Sequence, residues 1–164
     1  MIQVKKILFP TNFSRHRKQA LAYSLRLAKK YNAELHMFHA LVLWDDDPHN
    51  PAYHFPDKEE LQTRLKEAAA DRMTADLVAS DVEDIVIKQV QERGMTPAET
   101  ILRYAGENDI DLIVMDTHRK RRMGFLFSSV AEEIVRSAPC SVLALRQEKE
   151  GKPFYALYSS HEIL

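Results

Sequence analysis

Short apolar runs alternate with longer amphipathic stretches along most of this chain. The apolar runs are rich in Val, Ile and Leu and are bounded by turn residues, which is typical of buried strands. The first run ends at Pro10, because a proline cannot continue the hydrogen bonding of a central strand. The pattern predicts five strands, at residues 4–9, 34–42, 85–90, 112–115 and 142–145.

Between these strands, apolar residues recur every three to four positions, as they do on one face of a helix. Thr96, Pro97 and Glu99 supply an N-cap hydroxyl, a proline at the first helical position and a capping-box glutamate. The run 129–132 (SVAE) repeats the capping pattern, and Ser14 is expected to cap the first helix. The second helix is indicated by an apolar stripe made of Leu61, Leu65, Ala69, Met73 and Leu77.

This alternation of strands and helices predicts an α/β fold in which helices cover both faces of a parallel sheet. Right-handed crossovers favour a doubly wound, Rossmann-like arrangement. In such sheets, ligands bind outside the carboxyl ends of the strands, where the strand order reverses. The residues that directly follow the strands are therefore the first candidates for a functional site.

The composition is that of an ordinary globular protein. The 164 residues are 45% hydrophobic and 29% charged, with a net charge of −1, which indicates no general attraction to nucleic acid or membranes. Cys140 is the only cysteine, so an intrachain disulfide is excluded and a reducing compartment is favoured. No run approaches the roughly 20 apolar residues of a membrane helix. We expect a cytoplasmic protein with one domain at residues 1–146 and a tail at 147–164.

Three segments resemble the universal stress protein family. They are residues 6–14 (KILFPTNFS), 111–118 (DLIVMDTH) and 128–143 (SSVAEEIVRSAPCSVL), and their order and spacing fit that family over residues 2–146. The resemblance implies a five-stranded parallel sheet in the order 3-2-1-4-5, and a homodimer that commonly pairs through the fifth strand. In that order the first and fourth strands are neighbours, so the turns that follow them should meet in one crevice.

Nucleotide-binding members of the family carry a glycine signature after the fourth strand, which lets backbone amides and a helix N-terminus approach phosphates. This chain has Asp116, Arg119 and Ser128 at the three glycine positions, and Asn12 where the family usually has an aspartate that contacts adenosine. The last interval is also one residue short. The resemblance implies a candidate site for ATP, with or without Mg²⁺, at Pro10, Thr11, Asn12, Met115, Asp116, Thr117, His118, Arg119, Ser128, Ser129 and Val130.

The basic run 119–122 (RKRR) has two interpretations. Guanidinium groups bind phosphate oxygens in a bidentate manner, so the run could replace glycine amides by positive charge. Basic runs in loops are more commonly solvated and have no ligand. Similarly, Ser129 is explained either as a phosphate contact or as an N-cap that Glu132 reciprocates.

Other chemistry-bearing residues carry weaker signals. His36 and His39 lie at an odd separation on one strand, so they should point to opposite faces and act as packed or hydrogen-bonded residues rather than as a metal pair. The loop at 43–57 contains a possible metal cluster without a known ligand spacing, made of Asp45, Asp46, Asp47, His49 and His54, and it is also a candidate lid. Cys140 should be buried and inert. No Walker loop or nucleophile elbow is present, so we expect no enzyme, with slow ATP hydrolysis left open.

The sequence is compatible with two functions. In the first, the protein is a stress-response module that acts through dimerisation and protein contacts, with reduced or absent nucleotide binding. In the second, it is an ATP- or AMP-binding sensor that uses the basic run. The tail, with aromatic residues at 154, 155 and 158, is either a frayed terminus or a dimer-packing segment. Nucleic-acid binding is the weakest alternative, because the net charge of −1 gives no general attraction to nucleic acid.

Overall fold

The computed structural model describes residues 3–14, 17–42, 58–80, 82–117, 129–147 and 153–158. Strands and helices alternate through this part of the chain, as the apolar periodicity predicts. In chain order the elements are β1 (Lys6–Pro10), α1 (Arg17–Tyr31), β2 (Glu34–Val42), α2 (Lys58–Val78), β3 (Ile87–Gly94), α3 (Pro97–Glu107), β4 (Leu112–Thr117), α4 (Ser129–Ser137), β5 (Ser141–Gln147) and β6 (Pro153–Tyr158).

The sheet has the strand order β3-β2-β1-β4-β5-β6. The first five strands run parallel, which confirms the predicted doubly wound sheet in the order 3-2-1-4-5. The sixth strand was not predicted: residues 153–158 pair antiparallel with β5, from Val142 opposite Tyr158 to Gln147 opposite Pro153. The outer edge of β5 is thus covered by the same chain.

Each face of the sheet carries its own core. Because side chains alternate along a strand, Ile7 and Phe9 pack with α1 and α2, whereas Leu8 packs with α3 and α4. All three side chains are fully buried. The central strands are consequently apolar on both faces, as a parallel sheet between two helical layers requires.

The start of α3 follows the sequence pattern. Thr96 is the N-cap, its hydroxyl accepts a hydrogen bond from the Glu99 backbone N–H at 3.2 Å, and Pro97 occupies the first turn. α1 begins differently from the expectation. The Ser14 carbonyl accepts from the Arg17 N–H at 3.3 Å, while the Ser14 hydroxyl donates to Asp116 on a different element.

Of the five predicted strands, only the second keeps its bounds; the first and fifth were expected at 4–9 and 142–145 and lie at Lys6–Pro10 and Ser141–Gln147. The third strand was expected at 85–90 and lies instead at Ile87–Gly94, because its polar second half continues the backbone pairing with β2 up to Val42. The fourth strand extends past Met115 to Thr117. Within the described ranges, no helix is long and apolar enough to cross a membrane.

Candidate functional site

The strand order reverses between β1 and β4, and the carboxyl ends of these two strands form a crevice. β1 pairs with β2 on one side and with β4 on the other. The Ser14 hydroxyl, just beyond β1, donates a hydrogen bond to Asp116 Oδ2 at 3.0 Å. The two turns that the sequence analysis placed together are therefore adjacent, at the position where doubly wound sheets bind ligands.

The first wall of the crevice is the turn at residues 11–14, which is fixed by its own polar groups. The Thr11 N–H donates to the Phe38 carbonyl at 2.8 Å, and the Thr11 hydroxyl accepts from the Phe13 N–H at 3.2 Å. The Asn12 side-chain oxygen accepts from the Ser14 N–H at 2.9 Å. Phe13 has a φ of 57°, a left-handed conformation that this tight turn requires. The wall is preformed, and its Phe13 and Ser14 amides are already used.

The second wall is the end of β4. Met115 is buried in the core beneath α3 and α4, so it supports the crevice from below. Thr117 is also buried, and its hydroxyl donates to the Leu145 carbonyl at 3.3 Å, which makes it a packing residue. Asp116 is half-buried and points to Ser14. Of these three candidates, only Asp116 brings charge to the crevice.

Two residues of the crevice were missed as site residues by the sequence analysis. Ser14 was assigned to helix capping, and His39 was assigned to packing or hydrogen bonding. The His39 ring packs against Phe13 with a centroid distance of 4.6 Å, and its Nδ1 lies 2.8 Å from the Thr11 carbonyl oxygen. The available signal was the strand register, since Pro10 lies opposite Phe38 and so places His39 beside the Thr11 turn.

A salt bridge holds the first wall against the helices. The Arg17 guanidinium binds Asp76 of α2 in a bidentate manner, with Nε–Oδ2 and Nη2–Oδ1 distances of 2.6 and 2.9 Å. Its Nη1 also donates to the carbonyls of Phe13 and Ser14, at 3.2 and 3.0 Å. The hydrogen bonds to Asp76 raise the pKa of Arg17. The Arg17 guanidinium is thus hydrogen-bonded within the protein and does not serve a ligand in the crevice.

The remaining candidates are only partly covered by the described residues. Pro10 is half-buried at the end of β1, Asn12 is exposed, and Val130 packs at the edge of the α3–α4 core. His118, Arg119 and Ser128 lie outside the described residues, as do the basic run 119–122 and the loop 43–57. Ser129 begins α4.

Several hydrogen-bond donors near the crevice already have acceptors within the protein. The Phe13 and Ser14 amides, the Thr117 hydroxyl and the Arg17 guanidinium are engaged with protein acceptors. At the first glycine position of the family signature, this chain has the carboxylate side chain of Asp116. A phosphate next to it would meet like charge. What this part of the crevice offers is a rigid polar notch with negative character.

Away from the crevice, the buried titratable groups have structural roles. His36 lies on the opposite face of β2 from the crevice residue His39, as expected, because successive residues of β2 such as Met37 and Phe38 pack into different cores. His36 Nδ1 lies 2.7 Å from the Tyr104 hydroxyl, and burial lowers the pKa of His36. Burial also raises the pKa of Tyr104 to about 12 and that of the Cys140 thiol to about 11, so the predicted burial of Cys140 is confirmed and its thiolate form is disfavoured. Within the described residues, no three His, Cys, Asp or Glu side chains converge as a metal site would require.

Comparison with known proteins identifies the family. The model of the universal stress protein family matches residues 3–146. A universal stress protein of Thermus aquaticus is 34% identical over 144 residues, covering 87% of this chain and 98% of the relative. The structure of the universal stress protein UspA from Lactobacillus plantarum is similar, with a TM-score of 0.69, 26% identity and coverage of 87% and 97%.

A universal stress protein in complex with cAMP shares the fold, with a TM-score of 0.60, 20% identity and coverage of 89% of this chain and 99% of that one. The family model thus covers nearly the whole sequence, and the fold is that of solved universal stress proteins. This chain belongs to the universal stress protein family.

Proposed function

We propose that this protein acts in stress response as a universal stress protein module that works through dimerisation and protein contacts, with weak or absent nucleotide binding. The observation that carries the proposal is the pairing of Ser14 with Asp116. It places a carboxylate in the crevice at the position where the family's nucleotide-binding signature has a glycine. The protein has no catalytic role in this proposal.

The repulsion between the Asp116 carboxylate and a phosphate gives the size of the expected loss in nucleotide affinity. For a carboxylate and a phosphate oxygen about 7 Å apart, an effective dielectric constant of about 30 gives a repulsion of roughly 1.5 kcal/mol. That energy corresponds to about a tenfold loss of affinity. The hydrogen-bonded donors of the crevice lower the nucleotide affinity further, because each must break a hydrogen bond within the protein before it can bind a ligand.

The direct test is the nucleotide content of the purified protein. The protein is denatured, the supernatant is chromatographed for adenine nucleotides, and the native protein is titrated calorimetrically with ATP and with AMP. We expect far less than one nucleotide per chain and ATP affinity weaker than about 100 µM, or roughly −5.5 kcal/mol. Stoichiometric ATP in the supernatant would exclude the proposal.

An adenine-nucleotide sensor is the second candidate. It is supported by the turn at 11–14, whose backbone is already fixed by its own hydrogen bonds, and by the cAMP bound to the structural neighbour described above. In this case the basic run 119–122 binds the phosphates. The Arg119→Gly substitution should then weaken ATP binding by about 1–3 kcal/mol, as loss of a charged hydrogen bond does. Equal affinity of both proteins for ATP would remove the basic run from this role.

A further inference from the structure

A second cavity lies beneath the N-terminal half of α2. The apolar stripe of this helix is used unevenly: Ala69 and Met73 are 4% and 0% exposed, whereas Leu65 is 45% exposed. The helix therefore packs closely on the sheet through its C-terminal half only. The gap between its first turns and the ends of β2 and β3 has a volume of about 670 Å³.

The β3 side of this cavity is polar where a covered sheet face is normally apolar. Gln89, Gln91 and Arg93 share one face of β3, because they are two residues apart. Gln89 Nε2 is within 3.4 Å of Thr74 Oγ1 on α2, which shows that this face is the one turned to α2. Gln91 and Arg93 lie further along, at the cavity.

The Gln91 side-chain oxygen is buried and has no hydrogen-bond partner in the described part of the protein. An unsatisfied buried acceptor lowers the stability of a protein by about 1–3 kcal/mol. The unpaired Gln91 oxygen therefore needs an explanation. A ligand N–H or O–H in the cavity would satisfy it once the Gln91 side chain, which lines the cavity, turns this oxygen toward the donor. The unpaired oxygen supports a ligand site independently of the volume of the cavity.

Positive charge dominates the cavity lining. Arg93 and Lys66 both line it, against one carboxylate, that of Glu59. The neighbouring Glu92 is bound by Arg103 at 3.2 Å, so its charge is directed away to α3. A guanidinium favours a carboxylate or phosphate group, which it can bind in a bidentate manner.

The rest of the lining is apolar and includes Leu41, Val42 and Leu65. The volume falls within the roughly 300–1,000 Å³ of small-molecule sites, which combine apolar walls with a few placed polar groups. We propose that this cavity binds a small organic acid with an apolar body and a hydrogen-bond donor. Arg93 binds the acid group, Gln91 accepts from the donor, and the leucines contact the body.

This site is distinct from the β1–β4 crevice. Its lining contains neither Thr11 nor Asp116. The two sites are connected through His39, which lines the cavity and whose Nδ1 lies 2.8 Å from the Thr11 carbonyl oxygen. Binding here does not depend on nucleotide binding in the crevice.

The test uses three ring compounds of similar size with the full-length protein. Indole-3-acetate has the anion, the N–H donor and the apolar ring; 1-naphthaleneacetate lacks the donor, and indole-3-acetamide lacks the charge. We expect saturable binding of indole-3-acetate by ligand-observed NMR, with affinity at least about fivefold above that of either analogue, since one hydrogen bond is worth about that factor. Phenyl phosphate shows whether the anion site prefers a carboxylate or a phosphate.

Two substitutions assign the binding to this cavity. Arg93→Gln should lower indole-3-acetate affinity at least about tenfold, as loss of a charged contact does, whereas Arg103→Gln, the same change on the opposite face, should not. Gln91→Leu should remove the preference for indole-3-acetate over 1-naphthaleneacetate, and the protein should remain folded because no buried donor is left unpaired. Absence of binding by all the acids, or binding that survives Arg93→Gln, would overturn the proposal.

Discussion

Individual residues decide the character of the crevice. The meeting of the Thr11 and Asp116 turns could be predicted, because it follows from strand order alone. The direction of the Ser14 hydroxyl could not be predicted, since a serine three residues before a helix is equally compatible with capping the helix and with a tertiary hydrogen bond. Asp116 is the residue that resolves this choice.

Gly94 is a second residue whose role becomes visible only in the structure. It ends β3 against the buried Thr100, whose hydroxyl donates to the Thr96 carbonyl at 2.7 Å. A methyl group on Gly94 would overlap the Thr100 side chain. Gly94→Ala should therefore lower the free energy of unfolding by about 1–3 kcal/mol, through strain in a packed site, as measured by urea denaturation.

Gly106 supplies the matched control. It lies in α3, and a methyl group added there would meet nothing within 4 Å. Gly106→Ala should raise stability by up to about 1 kcal/mol, because alanine favours the helix. Equal effects of the two substitutions would contradict the packing described for Gly94.

For the secondary-structure elements, the sequence predicts whether a segment is a helix or a strand better than it predicts where that segment begins and ends. β3 was placed too early, because Gln91–Arg93 looks like a loop until its pairing with β2 is known. The α2 stripe predicted a helix correctly but not that Leu65 would stay half-exposed, since this depends on where the helix crosses the sheet. Caps were better predicted, as Thr96 shows, because capping is local.

The contact between α1 and α2 provides a test at this scale. Arg17 joins Asp76 to the carbonyls of the 11–14 turn, and both side chains are largely buried. Arg17→Ala should lower the free energy of unfolding by about 1.5–3 kcal/mol, the usual range for hydrogen bonds to charged groups. Arg64→Ala breaks an exposed salt bridge within α2 and should cost at most about 0.5 kcal/mol. Equal losses would show that Arg17 does not anchor the turn.

For the whole molecule, the order of the five parallel strands was predictable from periodicity and family resemblance. The sixth strand was not. Aromatic residues in a short tail fit a frayed end, a partner contact and a strand equally well, and the choice depends on β5 offering its edge. Because β6 covers β5, a partner that approaches this side meets β6 first.

The proposed dimer follows from the two edges of the sheet. β3 carries Lys88, Glu92 and Arg93, charges that discourage pairing, whereas β6 has the uncharged sequence PFYALY. We expect a dimer that forms across β6. Ala156→Lys should weaken it by about tenfold or more in analytical ultracentrifugation, since a charge on an edge strand opposes pairing. Gln89→Lys on the opposite edge strand should have no effect. A monomeric full-length protein would contradict this arrangement.

The central claim concerns the Asp116 carboxylate, and calorimetry on charge variants tests it most directly. ATP and adenosine are titrated into the native protein, Asp116→Asn, Asp116→Gly and the control Asp84→Asn, which removes the same charge in the loop before β3, far from the crevice. The account predicts that both Asp116 variants bind ATP about tenfold more tightly, with adenosine affinity and the control unchanged. Tight ATP binding by the native protein that Asp116→Asn leaves equal or weakens would contradict it.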